Sequence, residues 1–244
     1  MRPHLVITIL IGALLSCNNK EANLTIQSNG RIVIVDSSGR TNNLWAYQSN
    51  ERYGYYPIYY IGNQKDTIRL GPRKIPGRIP SQADYYSSKN IAWADSSKLS
   101  LTVDTSFSLT HTDYYSHYSA TTGKEIVDST KQFKSFPIFV RNLCDSVMLL
   151  GRFSEVAYMI RQAKDEQGNW VDIEVPIRYS CGTGARHIAL EPDQTIIAML
   201  IRYKGDFKTT CRLKFSNWKG TIYSNTFTDY IDEKQLTESV RTAY

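Results

Sequence analysis

The densest cluster of metal-ligand side chains is the segment 111–117, which reads His-Thr-Asp-Tyr-Tyr-Ser-His. On a β-strand, side chains alternate between two faces, so His111, Asp113 and His117 would share one face. Two imidazoles and a carboxylate form a ligand set that suits zinc or iron. The histidines are six residues apart, about 20 Å along a strand, so one ion could reach both only if the chain turned between them. The alternative interpretation is exposed polar residues on a Tyr-rich segment.

Cys181 and His187 flank a Gly-Thr-Gly-Ala-Arg segment and could suggest a cysteine nucleophile or a copper site. A nucleophile needs a base within hydrogen-bond reach and a third group that orients the base. Copper also expects a nearby second histidine and a methionine. Met199 is twelve residues beyond His187, so neither pattern is met. The Gly-Thr-Gly sequence is better explained as a turn than as a phosphate cradle, because no strand-to-helix context accompanies it.

Catalysis on envelope glycans would require paired carboxyl groups. The two groups must lie about 5 to 10 Å apart across a cleft. The sequence offers no recognisable pair, so no catalytic residue is assigned and no cofactor is predicted.

The N-terminus indicates export. Arg2 precedes a mainly apolar stretch over residues 5–15, and Ser16 and Cys17 follow it. This three-part layout is typical of a secretory signal peptide, here residues 1–16. The apolar run is too short to span a bilayer, which takes roughly 20 residues.

Residues 14–17, Leu-Leu-Ser-Cys, resemble the lipobox of bacterial lipoproteins. The resemblance implies that the thiol of Cys17 forms a thioether to diacylglycerol and that the freed amine is acylated by a fatty acid such as palmitate. Several acyl chains give firm membrane anchoring where one chain would be marginal. The alternative is an ordinary signal peptide that happens to end near a cysteine.

Residues 17–23 are predicted to be a polar, lipid-anchored tether. Position 18 holds Asn18 and not the aspartate that retains lipoproteins at the inner membrane of enteric bacteria, which favours the outer membrane. Residues 18–21 also resemble the charged export signal of Bacteroidetes lipoproteins, with one acidic residue where that signal usually has two. Cell-surface exposure is therefore a hypothesis.

Three further cysteines, Cys144, Cys181 and Cys211, remain in the exported part. An oxidising compartment permits a disulfide, and Cys181 with Cys211 is the favoured pair because each lies beside a predicted strand of the same domain. The alternative is three buried thiols that serve as small apolar residues.

Three tripeptides resemble the acceptor of Bacteroidetes O-glycosylation, in which Asp precedes Ser or Thr. Their acceptor residues would be Thr67, Ser129 and Ser146. The motif is short, and Asp or Ser at a turn explains it equally well.

Tyrosines are dense between residues 53 and 118. A tyrosine combines a large apolar ring with a hydroxyl that needs water or a partner, so it suits half-buried strands and contact surfaces alike. Tyr55, Tyr56, Tyr59 and Tyr60 are the candidate contact surface. The alternative is that their rings pack on a small sheet with the hydroxyls at its rim.

The pattern of short apolar runs and turns predicts an all-β protein. We expect a Tyr-rich β domain over residues 24–131 and a β-sandwich with a C-terminal tail over residues 132–244. The polar stretch between Tyr118 and Lys134 would separate them. Residues 157–164 are predicted as a strand, with a short helix over residues 154–164 as the alternative.

The C-terminal part contains an ordered series of turn and strand motifs. They are Phe-Pro-Ile-Phe-Val at 136–140, Asp-Glu-Gln-Gly-Asn-Trp at 165–170, Leu-Glu-Pro-Asp at 190–193, Tyr-Lys-Gly-Asp-Phe at 203–207 and Tyr-Ser-Asn at 223–225. Their order resembles the immunoglobulin-like half of Bacteroidetes outer-membrane lipoproteins. The resemblance implies an immunoglobulin-like β-sandwich and brings no catalytic residues.

The net charge of +6 is spread along the chain without a long basic run, which argues against nucleic-acid binding. The sequence therefore predicts a lipid-anchored, non-catalytic binding or structural module of the cell envelope, with a protein or glycan partner. An envelope hydrolase acting on glycans and an inhibitor or immunity lipoprotein are the alternatives.

Overall fold

The computed structural model describes residues 24–28, 32–36, 53–65, 67–70, 91–93, 96–106, 108–152, 155–176, 187–217 and 219–237. These residues form an all-β fold with one short 3-10 helix at Ser96–Lys98 and one short α-helix, α1, at Lys234–Thr237. The strands are β1 (Leu24–Ser28), β2 (Ile32–Asp36), β3 (Tyr53–Gly54), β4 (Ile58–Asn63), β5 (Thr67–Leu70), β6 (Ile91–Trp93), β7 (Leu99–Val103), β8 (Leu109–Ser119), β9 (Lys124–Asn142), β10 (Val147–Arg152), β11 (Glu155–Val156), β12 (Met159–Lys164), β13 (Trp170–Asp172), β14 (Val175–Pro176), β15 (His187–Leu190), β16 (Gln194–Ile201), β17 (Phe207–Asn217), β18 (Gly220–Tyr223) and β19 (Phe227–Ile231).

The central sheet has the strand order β4-β16-β9-β7, and β8 also pairs with β9. Strand β16 reads Gln-Thr-Ile-Ile-Ala-Met-Leu-Ile and is buried over all but its first residue. A continuous apolar run of this length is typical of a strand that is covered on both faces. β16 pairs antiparallel with β4 on one side and with β9 on the other.

The two faces of the central sheet pack against different layers. Ile138, Ile196 and Ala198 belong to the main core, together with Met159 of β12 and Phe215 of β17. On the other face, Ile197 and Met199 form a smaller cluster with Leu109 and with Ile68 and Leu70 of β5. The alternation of side chains along β16 therefore supplies two cores at once.

Four further sheets complete the described part. The order β13-β12-β17-β18, with β19 on β17, forms the sheet that faces the main core. β10 lies between β11 and β15 and also pairs in parallel with β6. β1 and β2 pair antiparallel, and β5 adds to β2 in parallel. β3 and β14 form a two-stranded parallel pair.

The structure corrects the predicted division into domains. The boundary between residues 131 and 132 falls inside β9, which pairs with β7 and β8 from the N-terminal half and with β16 from the C-terminal half. β4 also pairs with β16, and β6 with β10. The two halves are interleaved through shared sheets, so the described residues do not separate at this position.

The polar stretch that suggested a linker is a long β-hairpin. Residues 113–131, which we call the β-arm, pair from Asp113 with Lys131 to Ser119 with Lys124, and in the described part of the chain they pair only with each other. The turn contains Gly123 at φ 63°. Residues 124–132 are all exposed, and Tyr118 is 71% exposed. A ribbon with solvent on both faces needs no apolar alternation, which explains why the sequence pattern suggested a loop.

Two local predictions are confirmed. Residues 159–164 form β12 and not a helix, with Tyr158 in the left-handed region at φ 63° before it. The turn at 165–169 closes with Asp165 Oδ1 accepting a 2.7 Å hydrogen bond from the Asn169 backbone N–H. No helix among the described residues is long and apolar enough to cross a membrane.

Candidate ligand-binding site

The two histidines of the candidate metal site lie in different environments. His111 is fully buried, and its Nδ1 lies 2.8 Å from the hydroxyl of Tyr59. His117 is on the exposed β-arm, where its Nδ1 lies 2.8 Å from Asp128 Oδ1. A register shift between Tyr115 and Ser116 breaks the alternation that would have put both on one face. The structure therefore does not bring the imidazoles together.

Other members of the predicted sites can be placed only in part. The side chain of Asp113 lies outside the described residues, as do Cys17, Cys181 and the side chain of His187. Within the described ranges, no group of three or more His, Cys, Asp or Glu side chains is arranged to hold a metal ion. Thr67 and Ser129 are exposed, and Ser146 is half-buried, so O-glycosylation at these positions stays a prediction.

The tyrosine surface is corrected at one position. Tyr56 is 1% exposed and lies in the main core, so it is not a contact residue. Tyr55, Tyr59 and Tyr60 are half-buried. The ring of Tyr55 lies edge-on to His111, and Tyr60 donates a 2.6 Å hydrogen bond to the Asn63 carbonyl oxygen. The alternative interpretation, with rings packed on their own sheet, fits these positions better.

Cys144 and Cys211 are free thiols in the structure. Cys211 is fully buried in the core. The pKa of its thiol is raised to about 12, mainly by burial; the charge of Arg161 opposes this rise, and the carboxylates of Asp229 and Glu174 add to it. Cys181 lies outside the described residues, so its pairing with Cys211 stays a prediction.

Thiol labelling distinguishes a free Cys211 thiol from a Cys211 that is held in a disulfide. We expect iodoacetamide to modify Cys144 in the native protein and to leave Cys211 unmodified, because the thiolate is the reactive form and burial both disfavours and shields it. In denaturant without reductant, Cys211 should react, as peptide mass spectrometry would show. Reaction only after reduction would establish a disulfide instead.

A buried charge network ties the sheets together at the centre of the fold. Arg161 is 1% exposed. Its Nη1 donates to Asp229 Oδ2 at 3.0 Å and its Nη2 donates to the Ile201 carbonyl oxygen at 2.6 Å. Glu174 Oε1 lies 3.5 Å from Arg161 Nε and accepts hydrogen bonds from the hydroxyl of Tyr203. The other oxygen of Glu174 accepts from the hydroxyl of Tyr56 and, at 2.7 Å, from the Arg161 backbone N–H.

The electrostatics of the network keep Arg161 charged. Burial alone lowers the pKa of Arg161, but the oxygens of Tyr203, Glu174, Tyr56 and Asp229 outweigh burial and raise it. The pKa of Tyr56 is raised well above 10, first by burial and then by the charge of Glu174. Each carboxylate already has several partners, and the residues lie within the core. The network is therefore a structural element, because a ligand could not reach it.

A second polar region is open to ligands and lies on one face of the central sheet. Antiparallel pairing sets Ser100 opposite Arg141 and Arg141 opposite Thr195, so the three side chains form one row across β7, β9 and β16. The next row on the same face begins with Thr102 opposite Phe139. Directly opposed residues of antiparallel strands share a face. These rows form the floor of a cleft of about 640 Å³, within the range of roughly 300 to 1,000 Å³ that ligand pockets occupy.

The walls of the cleft come from loops. Gln64 follows β4, and residues 104–106 follow β7. Asp104 Oδ1 accepts a 2.9 Å hydrogen bond from the Ser106 backbone N–H. Asn225 donates through Nδ2 to the Val103 carbonyl oxygen at 2.9 Å and accepts through Oδ1 from the Val103 N–H at 2.8 Å. These bonds hold the wall in place against the edge of β7.

Two polar atoms at the cleft are buried and have no hydrogen-bond partner among the described residues. They are Thr195 Oγ1 and Arg141 Nε. Thr195 is 4% exposed. Arg141 uses only Nη2, which donates to Asp193 Oδ1 at 3.2 Å. Such a buried polar group costs about 1 to 3 kcal/mol when unsatisfied, so a ligand that reached both atoms would recover that free energy.

The cleft contains few groups with catalytic chemistry. Among the described residues that line it, Asp104 is the one carboxylate, and none is a histidine or a cysteine. The arrangement can bind through hydrogen bonds and one aromatic ring, Phe139, without a paired acid and base.

No protein-family model, curated protein or solved structure matches this chain. Sequence reasoning missed the cleft, since its members range from Gln64 to Asn225 and most are polar residues of ordinary surface types. One signal was present in the sequence. Arg141 directly follows the apolar run 136–140, and Thr195 directly precedes the apolar run 196–201.

Proposed function

We propose that this protein is a lipid-anchored protein of the cell envelope that acts as a non-catalytic binding module, with the cleft on the central sheet as its ligand site. The observation that carries the proposal is the pair of unsatisfied buried atoms, Thr195 Oγ1 and Arg141 Nε, at the floor of this cleft. Polar groups buried in a native fold are nearly always satisfied. A ligand that satisfies them explains why these residues stand there.

The location follows from the N-terminus. Residues 14–17 resemble a lipobox, and the polar residues after Cys17 lead to β1 at Leu24. In this proposal the lipid holds the domain at the outer membrane, with the cell surface as the face that the export-like residues 18–21 favour. The immunoglobulin-like character of the C-terminal part and a Bacteroidetes source belong to the same proposal. The antiparallel sheet of β12, β13, β17, β18 and β19 supports the β-sheet part of this proposal.

Binding is favoured over glycan hydrolysis by the carboxylate content of the cleft. Hydrolysis needs two carboxyl groups about 5 to 10 Å apart. Asp104 lines the cleft, whereas Asp193 lies 80% exposed in its ion pair with Arg141 and is not part of the lining.

The proposal predicts that cleft variants lose their partner on intact cells. Arg141→Ala and Thr195→Val should each reduce the material captured by cross-linking, because each removes a group that would contact ligand, worth about 1 to 3 kcal/mol. Matched controls are Lys214→Ala, which removes an ion pair with Asp172, and Thr228→Val on β19. Quantitative mass spectrometry of the cross-linked material is the measurement. Capture that is unchanged in both cleft variants, with their melting temperatures preserved, would contradict the proposal.

A further inference from the structure

We infer that the ligand of the cleft is an uncharged, hydroxyl-rich saccharide. The inference rests on the proposed binding function and names the ligand class of the same site. It draws on the charge balance of the lining, the hydrogen-bonding character of its groups and the position of Phe139.

The charges that line the cleft cancel. Arg141 is the one cation and Asp104 the one anion among the described lining residues, and Arg141 is also paired with Asp193 at 3.2 Å. An anionic ligand would approach the carboxylate of Asp104, and its attraction to Arg141 is weakened by the pairing with Asp193; a cationic ligand would approach the guanidinium. A neutral ligand avoids both penalties. A charged peptide or a phosphate is thus disfavoured.

The lining requires a ligand that both donates and accepts. Arg141 Nε only donates, the carboxylate of Asp104 only accepts, and the hydroxyl of Thr195 can do either. Six further lining residues add hydroxyl or amide groups that can donate and accept hydrogen bonds. They are Gln64, Ser100, Thr102, Thr105, Ser106 and Asn225. A hydroxyl group is itself donor and acceptor, so a molecule that carries several can match each of these partners. An ordinary apolar ligand would leave them unsatisfied.

The arrangement of the floor fits a sugar ring. Neighbouring strands place Ser100, Arg141 and Thr195 about 5 Å apart in one row, which is close to the distance across a six-membered sugar ring. Phe139 lies in the next row of the same face, opposite Thr102, and is half-buried. Its ring offers an apolar surface for the C–H groups of the sugar while the row beside it meets the hydroxyls.

Titration calorimetry of the lipidated full-length protein in detergent tests the inference. The uncharged probes are cellohexaose, xylohexaose, mannohexaose and chitohexaose, and the anionic probes are oligogalacturonate and inorganic phosphate. We expect one or more uncharged probes to bind, with an affinity that barely changes with salt because no charge is neutralised. Arg141→Ala, Thr195→Val and Phe139→Leu should each weaken it by at least about tenfold. Lys214→Ala should not.

The outcomes separate this inference from the proposed function. Binding of the anionic probes alone, or no binding of any uncharged probe while the cleft variants still lose capture on cells, overturns the saccharide and leaves the binding module standing. Absence of probe binding together with unchanged capture overturns both. Binding that the three cleft variants leave intact also overturns the inference, because the saccharide would then sit elsewhere.

Discussion

Replacement of Arg161 by alanine is expected to lower the free energy of unfolding by about 3 to 5 kcal/mol. The substitution removes the cation that lies between Glu174 and Asp229, which are 3% and 0% exposed. Both carboxylates would stay buried without their main counter-charge, and Asp229 would keep only the 3.1 Å contact with Arg202 Nε. Breaking one side of a buried ion pair is costly because an uncompensated charge remains in the core.

Two variants give the Arg161 experiment its control. Arg161→Lys keeps the charge but loses the planar fork that reaches Asp229 and the Ile201 carbonyl together, so we expect an intermediate loss. Lys214→Ala breaks a partly exposed pair with Asp172, for which about 0 to 1 kcal/mol is expected. Chemical denaturation monitored by circular dichroism measures all three. If Arg161→Ala were no less stable than Lys214→Ala, the network would not be the structural element that we describe.

Replacement of Cys17 by alanine is expected to abolish lipidation and to shift nearly all of the protein out of the membrane fraction or to leave it as an unprocessed precursor. The reason is that thioether formation needs this thiol, and the acyl chains supply the membrane affinity, at about 0.8 kcal/mol for each buried methylene. In mass spectrometry, the protein with the native sequence should begin at Cys17 and carry the added mass of the acyl chains.

Cys144→Ala is the matched control for Cys17→Ala. Cys144 lies between β9 and β10 with its Sγ 3.0 Å from Ser146 Oγ, and its loss should leave both the lipid mass and the membrane fraction unchanged. An unmodified N-terminus at a residue other than Cys17 in the native protein would refute the lipid anchor. Retention at the membrane of a Cys17→Ala protein that has lost residues 1–16 would show that another feature holds it there.

The strands were largely predictable, and the long-range pairing was not. The residues of Leu99–Val103 alternate between apolar and polar, and residues 196–201 form an apolar run; both patterns are typical of strands, and the structure contains a strand at each place. The 19-residue strand β9 was divided between two domains, because its first half carries the polar pattern of a solvent-exposed ribbon and its second half the apolar pattern of a central strand. A local pattern reports burial, and burial changes along this strand.

The candidate site shows the same limit. His111 was a candidate metal ligand on its type and spacing, yet the structure buries it against Tyr59 and leaves His117 on the exposed β-arm. Arg141 and Thr195 lie more than fifty positions apart in the chain and become neighbours only through the pairing of β9 with β16. Their lack of partners is a property of the folded surroundings.

The sequence by itself determined the all-β class, many of the strands, the turn at 165–169 and the features that predict an exported lipoprotein, because each of these depends on residues that are close together in the chain. The tertiary structure alone decided that the two halves share sheets, that Arg161 neutralises Glu174 and Asp229 in the core, and that the rows of β7, β9 and β16 form a polar cleft. Those features depend on which distant strands pair and in which register, and register is set by how all the apolar side chains pack together.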